Sequence, residues 1–410
     1  MKNAILLTGM LLGSALLLGA DNVSAQDWPQ WRGPNRDNKV TDFKAPAKWP
    51  TALTKKWRVK VGQGESSPLL VGDKVYVFGR QGNEEITVCL DAATGKEIWR
   101  DKYASNPKYS GDKQHAGPRS TPAVAEGKIV TLGVDGEVSC LDLASGKMHW
   151  RKKSGSVPMF HTASSPLIVD GMCIVYAGSL TAFDLAKGTI KWQAKSVTAD
   201  QASPTLMTVD GVKQIVAQVG AKSLVGVDVA DGKVLWTAAY TGNSMQTPVV
   251  DGQVVYCSGP GGTVAVKVEK KGDKFNADQL WKQKAPAASK YNTPVLSGGV
   301  VKDGLLFGLS GGGSTTMFCM DAKTGKQLWT DNDRRGECGH ILSAGAVLIY
   351  VGSDGKLVVF EPSATGFKSL ASYTVDDNTG INGPWSCPIL TGNRIFVKDN
   401  AGSLTLWTIE

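Results

Sequence analysis

The stretch LDAATGKEIW, Leu90 to Trp99, decides the fold. It reads as the end of a strand, a tight turn at Gly95 and a second strand that closes on an indole. Close copies follow as LDLASGKMHW (Leu141 to Trp150), FDLAKGTIKW (Phe183 to Trp192), VDVADGKVLW (Val227 to Trp236) and MDAKTGKQLW (Met320 to Trp329). A stretched copy, VKVEKKGDKFNADQLW, ends at Trp281, and a degenerate one, FEPSATGFKSL, starts at Phe360. Trp57, Trp99, Trp150, Trp192, Trp236, Trp281 and Trp329 recur every 42 to 51 residues. That period belongs to solenoids and propellers.

One full unit, Ser164 to Trp192, shows what repeats. Ser-Ser-Pro opens a strand, and Asp170-Gly171 is a two-residue hairpin signal. Cys173 to Ala177 is a β-branched and aromatic run, Leu180 to Asp184 alternates as a third strand, and Thr189 to Trp192 makes a fourth. Four short antiparallel strands in about 45 residues form one propeller blade. The turn glycine supplies a left-handed backbone, and the aspartate before it can accept the turn's N–H groups. The closing tryptophan is expected to lie between one blade and the next, burying on the order of 200 Å². These seven tryptophans are therefore assigned as structural clasps.

Blade openings fall at 66–68 (SSP), 120–122 (STP), 164–166 (SSP), 202–204 (ASP), 246–248 (QTP), 292–294 (NTP), 338–341 (CGHI) and 386–388 (SCP). The expectation is an all-β, eight-bladed β-propeller of four-stranded antiparallel blades. Seven blades stay open if the degenerate unit at 340–375 fails. The last unit has only three strands of its own, so KKWRVKV, Lys55 to Val61, should supply its outer strand and close the ring.

The first residues, MKNAILLTGMLLGSALLLGADNVSAQ, carry an early lysine, an apolar run and small residues at Val23-Ser24-Ala25. They read as a secretory signal at 1–25 with cleavage after Ala25. Residues 26–54 then form a Trp-rich extension and 55–410 a single propeller domain. Nothing later is apolar enough to span a membrane, so a monomeric periplasmic or secreted protein is expected. The charge of +8 is scattered among acids, which argues against a nucleic-acid partner. Glycine is 48 of 410 residues, against ~7% in ordinary chains, which suits many tight turns. Cys89, Cys140 and Cys319 share one register and read as small buried residues. Cys338 and Cys387 fall near equivalent points of neighbouring units, and whether they pair is left open.

Written as SSP…GxVYV…G…xLDAxTGKxxW, the repeat resembles the PQQ-like (pyrroloquinoline-quinone-type) propeller family with its tryptophan-docking motif, over nearly the whole mature chain. The resemblance implies a fold shared by quinoprotein alcohol and glucose dehydrogenases and by a non-enzymatic outer-membrane-protein assembly factor. This chain is closer in size to the latter branch. DWPQWRGPNRDN, Asp27 to Asn38, resembles the leader of exported members and is expected to pack on the ring as an extended apron.

Positions that differ among blades are free to carry function. Three residues before each opening proline, or before His340, the chain reads Glu65, Arg119, Ala163, Gln201, Met245, Tyr291, Glu337 and Trp385. One register with such varied chemistry suggests a ring at the channel mouth, with His161 and His340 close by and His115 in a longer loop. Candidate binding residues are thus Glu65, Arg119, His161, Gln201, Tyr291, Glu337, His340 and Trp385. No catalytic set and no metal site is assigned: DNDRRGECGHIL begins like a calcium loop, but Arg335 and Leu342 stand where oxygen ligands belong.

Three functions remain open. The first is a non-catalytic envelope scaffold that holds partner proteins by mouth loops and blade edges, with no cofactor. The second, implied by the resemblance, is a dehydrogenase using PQQ with calcium. That branch clamps its quinone with adjacent cysteines, and no Cys-Cys pair occurs here. The third is a propeller that binds carbohydrate or another small ligand.

Overall fold

The computed structural model describes residues 26–410 apart from 106–116, 156, 159–160, 199–200, 221, 241–245, 260–261, 284–293 and 311–314. Eight antiparallel sheets form the blades of a propeller. Blade 3 runs through Leu167–Val169, Met172–Ala177, Ser179–Asp184 and Ile190–Thr198, each strand paired with the next. Its first turn has φ of 50° at Asp170 and 66° at Gly171, as the hairpin signal requires. The degenerate unit is a complete blade 7, of Gly339–Ala344, Val347–Gly352, Lys356–Phe360 and Ser369–Thr374. That fixes the count at eight.

Ring closure follows the expected route. Blade 8 contributes Ile389–Thr391, Arg394–Lys398 and Ser403–Thr408, and Thr54–Lys60 pairs with the last of these, Trp57 opposite Leu406. The strand begins one residue earlier than the sequence suggests. Val61 has already turned to donate its N–H to Gly402.

Each clasp works on the following blade. The indole Nε1 of Trp150 donates to Leu185 O at 3.0 Å, Trp192 to Val229 O at 3.0 Å and Trp281 to Ala322 O at 3.0 Å. Trp57, Trp99 and Trp329 make the corresponding bonds to Ala92, Leu143 and Ser363. The ring covers the next turn glycine so closely that a Cβ on Gly188 would stand 2.6 Å from Trp150. The glycine is therefore required twice, by its φ of 65° and by the indole above it. Trp236 departs from the pattern. Blade 5 replaces the turn by a long hairpin, Gly262–Lys271 with Lys274–Gln283, and the Trp236 Nε1 donates to Gln214 Oε1 instead. The turn aspartates accept as expected: Asp91 Oδ1 takes the Thr94 N–H and hydroxyl, which holds its carboxyl below the usual range.

The leader is not an apron. Trp28 is fully buried in the core shared by blades 1, 7 and 8, and Lys39–Val40 adds as a parallel strand to the inner strand of blade 7. Between them the chain coils through non-glycine left-handed residues, Arg32 (φ 63°), Arg36 (φ 56°) and Asn38 (φ 58°). Such conformations persist only where the surroundings fix them. Here the fixing bonds come from around the ring, through Leu70, Val124 and Ser343 on the backbone and Thr391 on Asp42. An apron cannot make these bonds because the acceptors and donors line the channel wall. The leader is a plug.

All seven cysteines are free thiols, and each is buried except Cys338, which is partly so. Among the described residues no helix is long and apolar enough to cross a membrane.

Candidate functional site

In five of the openings the backbone N–H of the middle residue donates to the hydroxyl of the same position one blade on. Cys387 N reaches Ser67 Oγ at 2.8 Å, Ser67 N reaches Thr121 Oγ1 at 2.9 Å and Thr121 N reaches Ser165 Oγ at 3.0 Å. Ser165 N then bonds Ser203 Oγ, and Ser203 N bonds Thr247 Oγ1, both at 2.9 Å. This girdle explains the recurring Ser or Thr before proline. It was visible in the sequence as a repeated hydroxyl, though nothing there showed what the hydroxyl binds.

Above the girdle lies a cavity of about 220 Å³. Of the expected mouth residues it gathers Glu65, Arg119, Gln201, His340 and Trp385, with Ala163 in the same register. Glu337 points to solvent and His161 stands beside Arg119, so neither belongs to the lining. Met245, Tyr291 and His115 lie outside the described residues.

The floor comes from the leader, which sequence reasoning left out. Trp31 and Arg32 line the cavity, with the Arg32 guanidinium 4.3 Å from the Trp31 ring centroid. Below them Arg36 is pinned to the openings of blades 3 and 4. Its guanidinium donates to Pro204 O at 2.7 Å, to Ser165 O at 3.3 Å and to Pro166 O, while its Nε holds Gln30 Oε1 at 2.9 Å. The only signal available was a pair of arginines four apart in a segment rich in Gly, Pro and Asn.

Burial sets the charges. It lowers Arg32 to about 10 and Arg36 to about 9, so both stay cationic at neutral pH. His340 is pushed down to about 4 by burial and, next, by the Arg32 charge. Its Nε2 lies 3.1 Å from Trp385 O, an acceptor only, so this nitrogen carries the proton of the neutral ring. Burial raises Cys338 to about 12, which keeps a thiol there and no nucleophile. Lys398, buried below Glu65, is lowered to about 8 by burial and donates to Gly64 O.

A family model described as outer membrane protein assembly factor BamB matches residues 82–302 and 271–380. The chain belongs to this family. BamB of Yersinia pestis is 22% identical over 385 residues, 87% of this chain and 88% of that protein. BamB of Burkholderia pseudomallei is 26% identical over 242 residues, and the match spans 46% of this chain and 60% of that relative. Among solved structures, BamB from Moraxella catarrhalis superimposes with a TM-score of 0.61 at 15% identity, covering 87% of this chain and 100% of that one. A europium-containing methanol dehydrogenase gives 0.65 at 14% identity, covering 91% and 89%. Likeness at these identities describes the fold alone.

The repeat's resemblance to the PQQ-like propellers makes calcium with a quinone the group to test against this cavity. Calcium takes six to eight oxygen ligands, several of them carboxylates. The cavity lining offers one carboxylate, Glu65, beside the two guanidiniums of Arg32 and Arg119. This donor set does not suit a divalent cation.

Proposed function

We propose that this BamB-family propeller is a non-catalytic scaffold of the bacterial envelope, exported by its leading segment and holding partner proteins with its mouth loops and blade edges. The observation that carries this reading is the plugged axis. The channel below the mouth cavity is taken up by the chain's own leader, pinned by Arg36 to two blades. What is left is a rigid, girdled mouth whose side chains differ from blade to blade, suited to recognition. The names of the BamB relatives point the same way, toward assembly at the outer membrane.

The test is site-specific photocrosslinking in the native envelope, with the crosslinker at Gln201 on the mouth and, as control, at Lys271 on the remote hairpin of blade 5. The expected result is a discrete adduct from Gln201 only. Saturable, calcium-dependent quenching of tryptophan fluorescence by PQQ, with dye reduction on alcohols or aldoses, would replace the scaffold by a dehydrogenase.

A further inference from the structure

The girdle hydroxyls have a second property. A hydroxyl offers one proton and two lone pairs. Ser67, Ser165, Ser203 and Thr247 each spend a lone pair on a backbone N–H of the preceding blade. All four line the cavity, and among the described residues none gives its proton to a protein acceptor. Their O–H groups are therefore left to serve whatever enters. Around them stand two guanidiniums and one carboxylate, while His340 is neutral. The lining is rich in donors and carries net positive charge, the reverse of a cation site and the pattern that charge-assisted bonding to a carboxylate requires.

We propose that the mouth cavity is a carboxylate receptor that takes an Asp or Glu side chain presented on a partner protein's loop. This deepens the scaffold reading and rests on it. About 220 Å³ suits one acidic side chain with its neighbouring backbone. Trp31 and Trp385 on the wall can cover the methylenes of that side chain while the hydroxyls and guanidiniums meet its oxygens. Charge complementarity of this kind fixes which partner docks and in what register.

The experiment titrates the full mature chain with N-acetyl-glutamate amide, its uncharged isostere N-acetyl-glutamine amide, and acetate, read by tryptophan fluorescence and by calorimetry. The expected result is saturable binding of the glutamate compound, at least about tenfold tighter than the glutamine compound and weaker at higher salt. Arg119→Gln should weaken it several-fold and Glu65→Gln should tighten it, opposite shifts that a general loss of structure cannot produce. Thermal melts of both variants establish that they are folded. Equal binding of the two isosteres, or none, overturns the proposal. Acetate binding as tightly as the glutamate compound overturns the peptide source and leaves a site for free small acids. A crosslinked partner at Gln201 without carboxylate preference would sink this inference and leave the scaffold reading intact.

Discussion

The Arg36 guanidinium lies 2.7 Å from the carbonyl oxygen of Pro204, 168 residues further along the chain, and also donates to the carbonyls of Ser165 and Pro166 in the neighbouring blade. One buried side chain thus ties the leader to two blade openings. An opening carbonyl at the channel wall has no strand partner on its inner side, so the leader's cation meets a need the ring cannot meet itself.

Replacing Arg36 by Met should leave three buried carbonyls without this donor, at about 1–3 kcal/mol for each group left unmet. The expected outcome is a lowered melting temperature and release of the leader. Limited proteolysis followed by N-terminal sequencing should then find new cuts between residues 30 and 50. A resistant leader in a fully folded variant would show that other bonds hold the plug.

The clasp and the mouth should separate cleanly in stability. Trp192 is buried and bonded to Val229 O, so Trp192→Ala is expected to cost about 3–5 kcal/mol. Gln201→Ala at the half-buried mouth should stay within about 0.5 kcal/mol. Chemical denaturation of the two variants side by side gives the comparison, and equal losses would refute the division of roles.

Two glycines with nearly the same backbone should respond differently. Gly171 has φ of 66° and nothing within 4 Å of the place a Cβ would occupy. Gly232 has φ of 77°, and there a Cβ would meet the Trp192 ring at 2.6 Å. Gly171→Ala carries only the left-handed penalty, roughly 1–2 kcal/mol. Gly232→Ala adds the displacement of a clasp and should cost well beyond that, measurable as a difference in melting temperature.

His340 makes the fold sensitive to acid. Its pKa falls from 6.5 unfolded to about 4 folded, because burial and the Arg32 charge oppose the imidazolium. As pH drops the unfolded chain takes up the proton first. The contribution is complete above pH 6.5 and is lost as pH falls toward 4, by up to about 3 kcal/mol. His340→Gln, which keeps a donor for Trp385 O, should therefore lose less stability than the parent between pH 7.5 and 5. Denaturant unfolding at the two pH values measures it. Parallel losses would mean that His340 titrates alike in the folded and the unfolded chain.

The fold was legible because its determinants repeat. The LDxxTGKxxW clasp, the DG hairpins and the Ser/Thr-Pro openings recur at fixed spacing, and each acts on a turn or strand within one blade or the next. The closing strand at Trp57 was readable from the same arithmetic, since the last unit was one strand short. Blade 5 shows the limit of that reasoning. Its longer hairpin was plain in the sequence, yet the redirection of Trp236 to Gln214 depended on which carbonyl the missing turn no longer offered.

The mouth was half legible. Register alone brought Glu65, Arg119, Gln201 and Trp385 to one cavity, because equivalent positions in a ring must face the axis. Register could not show that Glu337 turns to solvent, since that depends on the path of a single loop.

By itself the sequence determined the repeating blade, most of its clasps and the way the ring closes, because those contacts join neighbours at a constant interval and so leave a periodic trace. Only the tertiary structure decided that Arg32 and Arg36 fill the axis. The ring partners of Arg36 lie more than a hundred residues away on two blades, and each contact is made once. A contact made once leaves no period to read.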